Sequence, residues 1–306
     1  MCARFTGTDN ELLKSACSLL QELVDSEAED PTNVAITSSV PLSFTETAPL
    51  NGVVAQGAES LLTKGIGDEI LISQGKFTGY SIVNKFGENI DIDTASVPED
   101  IWMGGGVYPG FPTGAAETFQ AFSSSASDTG MLTVTYLPSF TATAYLTTTV
   151  QLNGTTPVSL GVSGVRMHAA NYSSGTPTGF NVGLITVRHS VTTANIFCQL
   201  PIGRSQTNAS AYTVPFGSTA YLKRIFVRIN GTTNGTVEGG LWVRPLNGSP
   251  RMRRPFSASQ ADGFLEYPYG GIAIAAGSDI IVRVTVSSAN NITVIAGYDM
   301  LLVSSS

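Results

Sequence analysis

"DIIVRVTV", residues 279–286, is the stretch on which the fold turns. Ile280, Val282, Val284 and Val286 fall at alternate positions, opposite Arg283 and Thr285. That period of two gives an extended strand one apolar face for a core and one mixed face for the outside. "RIFVRI", residues 224–229, repeats the pattern, with Ile225, Val227 and Ile229 on one face and Arg224, Phe226 and Arg228 on the other.

Working outward, the chain from residue 131 onwards is a series of such runs: "MLTVTYL", "AYLTTTVQL", "VGLITVRHSV", "GGLWVRP" and "NITVIAGYDMLLV". They are rich in Val, Ile, Thr and Tyr and are separated by turn residues, with no helical period between them. "INGTTNGTVEGG", residues 229–240, reads as a hairpin-like turn. Many short strands without interleaved helices predict an all-β protein, a jelly-roll-like antiparallel β-sandwich. Upstream, "NVAITSSVPLSF", "GDEILISQG" and "GYSIVNKFG" read as short strands broken by Gly and Ser. Residues 84–130 read as a long connection ending in "FSSSASDTG", a linker or a broad turn.

The one predicted helix lies near the start. Thr8 and Glu11 make a capping-box pair, and Leu12, Leu13, Ala16, Leu19, Leu20 and Leu23 recur at helical spacing before Pro31 stops the pattern. A single amphipathic helix must dock its stripe on the main body or on a partner. The expected organisation is an N-terminal arm over 1–50, short strands and an irregular anchoring segment over 51–125, and the sandwich over 126–306.

Charge is scarce: 13% of residues are Asp, Glu, Lys or Arg, about half the usual ~25%. Charge keeps freely diffusing proteins apart, so its scarcity suits a protein that lives assembled. The net of −7 is unevenly spread. Residues 1–100 carry 16 acidic and 5 basic side chains, a net of −11, and residues 101–306 carry 7 and 11, a net of +4. So thin a basic balance is not the dense Lys/Arg patch of a nucleic-acid binder. Its one cluster, Arg244, Arg251, Arg253 and Arg254, reads as a solvated hairpin tip or a contact for an acidic partner. Cys2, Cys17 and Cys198 have neither an even count nor metal spacing, which fits synthesis in a reducing cytoplasm. No secretory signal and no membrane-spanning run is expected.

Catalytic signatures are missing from the sequence. His168 and His189 sit in strand-like runs and read as packed or surface strand residues. There is no nucleophile elbow, P-loop, dinucleotide fingerprint or zinc spacing. "NIDIDT", residues 89–94, is the best lure. Asn89, Asp91 and Asp93 alternate, and Asp100 stands where a twelve-residue calcium loop places its last ligand. Thr94, however, takes the place of the turn glycine. The plainer reading is a strand with Ile90 and Ile92 inside and Asp91 and Asp93 outside. No enzyme activity, metal or cofactor is expected. A paired-carboxylate glycosidase stays open, because sequence does not give carboxyl separation.

Residues 85–112, "KFGENIDIDTASVPEDIWMGGGVYPGFP", resemble a motif of virion structural proteins of tailed bacteriophages. The shared pattern is FG-x-N-x-DIDT-x-x-x-PEDIW-x-GGG-x-Y-x-GFP, and residues 183–222 are similar to the same proteins. The resemblance, nearest to cement proteins of short-tailed cyanophages, implies a capsid decoration protein on the outside of the head. Its partners would be sister copies, as a trimer, and the major capsid protein, with neither nucleic acid nor membrane. It implies assembly in the host cytoplasm and location on the virion. Some proteins with this motif are tail fibres, so an adhesin for host surface glycan is the alternative. From the residues themselves, Leu12, Leu13, Leu20 and Leu23 are candidate interface residues. So are Trp102, Tyr108 and Phe111, three large anchors on a Pro- and Gly-fixed path that needs a surface to lie against. Trp102 plugging this chain's own β body is the alternative for those three.

Overall fold

The structure, a computed structural model, describes residues 55–56, 59–60, 68–175, 179–230, 235–268 and 271–304. The chain divides into two compact units, Met1–Thr63 and Lys64–Ser306. In the first, β1 (Ala55–Gln56) and β2 (Glu59–Ser60) pair antiparallel. The amphipathic helix and the strand expected at 33–44 lie outside the described residues.

The second unit opens with α1 (Asp68–Ser73), β3 (Tyr80–Ile92) and β4 (Glu99–Asp100). There follow β5 (Glu117–Ser123), β6 (Met131–Leu137), β7 (Leu146–Gln151), β8 (Val158–Gly164), β9 (Arg166–Ser173), β10 (Ile185–His189) and β11 (Ile196–Leu200). Next come β12 (Tyr212–Thr213), β13 (Ser218–Asn230), β14 (Thr236–Arg244) and β15 (Arg251–Ser259). The chain closes with β16 (Phe264–Glu266), β17 (Ile272–Ile274), β18 (Asp279–Ser287) and β19 (Ile292–Ser304).

Two facing sheets form a jelly roll. One runs β16-β13-β19-β3, with β17 also on β13; the other runs β12-β18-β14-β15, with β4 also on β18. The pairs nest, as in a long hairpin rolled into a sandwich: β3 with β19, β4 and β12 with β18, β13 with β16 and β17, β14 with β15. Leu222, Ile225, Val227, Leu241, Val282, Val284 and Val294 fill the space between the sheets.

A second sandwich is inserted between β4 and β12. Its sheets run β11-β10-β5-β8 and β7-β6-β9 around Phe119, Leu132, Val134, Ile185, Val187 and Phe197. A boundary at residue 126 therefore falls inside this insertion, between β5 and β6, and β3 belongs to the C-terminal jelly roll. Residues 84–130, expected as a connection, contain the end of β3 and all of β4 and β5.

Other expectations change for local reasons. "GDEILISQG" forms α1, which tucks Ile72 into the body, rather than a strand. "INGTTNGTVEGG" is no hairpin, because β13 and β14 lie in opposite sheets. "FSSSASDTG" is a broad turn held by the buried Asp128 carboxylate, which accepts from Ser123 Oγ at 2.5 Å and from the amides of Val182 and Gly183 at 2.8 Å each.

The alternation in β13 holds through "RIFVRI". In β18 it breaks at Thr285, an extra residue opposite Glu238 and Gly239. This bulge turns Val286 outward, 51% exposed, and puts Ser287 inside. A similar irregularity in β3, where Ile292 pairs with Ile92 but Val294 pairs with Asn89, turns Ile90 out at 52% exposure and Asn89 in.

Candidate functional site

The quoted motif is a latch, and its carboxylates tie it. Glu99 on β4 accepts from Asn89 Nδ2 at 3.0 Å, Gly106 N at 2.9 Å and Asp93 N at 3.3 Å, and also from Ser96 Oγ. Burial works to raise its pKa, but the hydrogen bonds from Ser96, Gly106, Asn89 and Asp93 outweigh it and hold the carboxyl below its ordinary value. Asp100 takes Arg283 bidentately at 2.5 and 2.9 Å and the amide of Tyr108 at 2.8 Å. Three of the four calcium-loop candidates, Asn89, Asp93 and Asp100, are thus spent on different partners. Asn89 and Asp100 face the protein, Asp91 is exposed, and Asp93 accepts from the amide of Asn291. Among the described residues no group of three acids, His or Cys is placed to hold a metal.

The glycines give the segment its path. A Cβ on Gly104 would sit 2.1 Å from the Trp102 ring, and Gly105 and Gly106 have φ of 67° and 61°, the left-handed region that favours glycine. Trp102, Tyr108 and Phe111 then stack edge to face, with centroids 5.4 and 4.9 Å apart. They pack against Ala209, Ala211, Ile281, Ile196 and Trp242, residues of both sandwiches. Trp102 Nε1 donates to Gly106 O at 3.2 Å, and Tyr108 Oη donates to Phe197 O at 2.5 Å. Trp102 and Tyr108 therefore bury themselves within this chain, and Phe111 is half-buried against them. Leu12, Leu13, Leu20 and Leu23 lie outside the described residues.

The "GFP" end is clamped by a cluster that the sequence reading passed over. Asp279 at the head of β18 accepts from Arg166 on β9 at 2.7 and 3.0 Å, from Arg244 on β14 at 3.0 and 2.5 Å, and from Thr213 Oγ1 at 2.6 Å. The same guanidiniums donate to Pro112 O at 2.6 Å and Phe111 O at 2.7 Å, and both lie near the face of the Phe111 ring. Arg244, one of the four clustered arginines, is therefore a clamp residue. The signal was available: in so lightly charged a chain, an Asp or Arg within an apolar strand run needs a partner.

Gly87 brings β3 against the latch. A Cβ there would stand 2.4 Å from Ile101 O and 2.5 Å from Ser210 N, both backbone atoms that cannot swing aside. Gly87→Ala is expected to cost about 3 kcal/mol, the upper end of overpacking penalties, read as a lower urea midpoint at unchanged slope.

The feature open to a partner is the outer face of the β16-β13-β19-β3 sheet. Ile82 lies across from Leu301 and Tyr221, and Phe86 across from Gly297, Phe226 and Leu265. Gly297 leaves room for the Phe226 ring, which a Cβ would meet at 2.7 Å. Between these apolar rows runs a polar one, in which Arg224 pairs with Asp299 at 2.7 Å and Asn84 donates to the same carboxylate. Ile70, Phe77, Tyr80, Ile82 and Phe86 are exposed, as are Leu265 at 59% and Tyr267 at 64%. α1 borders the face and leaves a groove of about 910 Å³ whose charged walls are Glu69, Lys223, Arg224 and Asp299.

No family model matches the chain, and no curated protein matches it. Among solved structures, the T13 viral particle of infectious bursal disease virus aligns over 74% of this chain and 68% of that chain, at 12% identity and a TM-score of 0.22. The VP2 subviral particle of that virus aligns over 74% and 73%, at 8% identity and 0.21. The PBSX exported protein XepA aligns over 85% and 100%, at 11% identity and 0.17. Likeness of this extent carries no argument about function, which rests on this chain's own residues.

Proposed function

We propose that this chain is a structural protein of a virion, a non-enzymatic decoration or cement protein on the outside of a phage head that stabilises the junctions between capsomers. It acts as a homo-oligomer, a trimer by the resemblance of its latch motif, with the major capsid protein as its other partner. The observation that supports this most is the apolar outer face of the jelly roll. A monomer seldom leaves so many large apolar side chains on one sheet face. We assign that face to a sister copy. Its groove is lined by two acids and two bases, so copies meet there without the repulsion that the net charge of −7 would otherwise impose. A clamp needs contact rather than chemistry, because anything that binds only the assembled shell stabilises it by mass action.

Sedimentation velocity tests the face. The wild type is expected to sediment as an oligomer at micromolar concentration. The Ile82→Lys/Leu265→Glu double variant should be a compact monomer with an unchanged circular dichroism spectrum. A monomeric wild type, or an oligomeric variant, would remove the basis for the assignment.

A tail-fibre or adhesin role draws support from another place, the tip of the inserted sandwich. Phe180, Val182 and Ile202 are exposed there on loops knitted by Asn181, which donates to Gly183 O and Pro201 O at 2.8 Å and accepts from Ser205 N at 2.8 Å. Labelling intact particles separates the two roles: many copies over the head mean cement, and few at the tail mean fibre.

A further inference from the structure

Lys85 is the unexplained group of this molecule. It leaves the edge strand β3 towards the inserted sandwich and is only 6% exposed. Its ammonium donates to the carbonyl of His168 at 2.6 Å, and no ion pair among the described residues reaches it. A buried ammonium without a counter-charge is expensive. Cys198, whose charge would act on Lys85, is no anion, since burial pushes its thiol up to about 12. Burial in turn pushes the Lys85 amine down to about 8.

Beside Lys85 the seam holds a cavity of about 130 Å³, walled by His168, Asn171, Gln206 and Thr207 and by Asn84 and Phe86 of β3. Nδ1 of His168 is buried and has no hydrogen-bond partner among the described residues. A cation with two donors to spare and the exposed side-chain amides of Asn171 and Gln206 border a space the size of a few waters.

We infer that this seam is a binding site for a carboxylate group, with Lys85 as its counter-charge and the Asn171 and Gln206 amides as its hydrogen-bonding wall. A carboxylate suits the site because its two oxygens can take the ammonium and an amide together. The group is either a free small carboxylate or the side chain of an Asp or Glu on another chain.

Acetate serves as the probe, with chloride at equal ionic strength as the control. At 100 mM acetate and pH 7 the melting temperature of the wild type is expected to rise by about 3 °C over chloride, the response to a ligand at ten times its Kd. Lys85→Met should melt no lower than the wild type in chloride, because it removes an unpaired buried charge, and should lose the acetate response. Gln206→Ala should keep the fold and need several-fold more acetate for the same rise. Sedimentation in acetate then names the source. A shift to smaller species means that acetate displaces a side chain of another copy, and an unchanged profile means a free carboxylate; either supports the site. Equal melting in acetate and chloride, or equal acetate responses of wild type and Lys85→Met, would overturn it.

Discussion

Asp279→Ala is expected to destabilise this protein by about 3–5 kcal/mol, the range for breaking a buried ion pair from one side. The reason is the charge left behind. Asp279 is buried and accepts from Arg166, Arg244 and Thr213. Arg166 is itself buried, so without the carboxylate its guanidinium is an uncompensated cation between two sandwiches. Arg244 sits closer to water, with a side chain 24% exposed, and suffers less. Asp279→Asn keeps the volume and removes only the charge, so it should lose nearly as much as Ala. A much milder Asn variant would show that packing, rather than charge, holds the clamp. Because the arginines also fix Phe111 and Pro112, the loss should loosen the seam as a whole. Urea unfolding of Asp279→Ala is then expected to show a lower midpoint, with the inserted sandwich and the jelly roll melting as separate transitions. A midpoint within experimental error of the wild type would refute the clamp.

Much of this fold was legible because the pleat repeats locally. Residues 224–229 alternate in sequence as they do in burial, since each strand side chain chooses its face from its immediate neighbours, whereas residues 279–282 are buried on both faces. The bulges were not legible. Whether Thr285 or Ile90 is paired depends on the strand across from it, and that strand is named only by the finished sheet. For the same reason the insertion was hidden. A jelly roll pairs its first strand with its last, β3 with β19, and no local pattern announces a contact of that span. Trp102, Tyr108 and Phe111 were legible as anchors, because large apolar groups on a backbone without a ladder must be covered. What covers them, Ala209, Ile281 and their neighbours, was not. Asp100 looked like part of a cation loop, yet it is an acceptor for the Tyr108 amide and Arg283, chemistry that asks for the same residue type.

Between pH 6.5 and 4.5 the stability of this protein should fall, and one side chain should account for it. His168 packs against the rings of Tyr145 and Tyr212, with centroids 5.3 and 5.2 Å away. Burial first, and the charge of Lys85 second, push its pKa down from 6.5 to about 3. The unfolded chain therefore takes up a proton below pH 6.5 that the folded chain refuses until about pH 3. A depressed pKa of this kind gives stability that is fully present above pH 6.5 and lost as the pH falls towards 3. At about 1.4 kcal/mol per pH unit, the loss is about 2 kcal/mol at pH 5. Glu99, also held low, adds a loss of the same sign, but only below its ordinary value of 4.5. The window above that value isolates the histidine. His168→Gln keeps a planar polar group in the seam and cannot take the proton. Thermal or urea unfolding at pH 7, 6 and 5 should show a falling wild type and a flat His168→Gln, whatever the variant's stability at pH 7. Parallel slopes would mean that His168 is protonated as easily in the fold as out of it, and that the seam around it and Lys85 is wet.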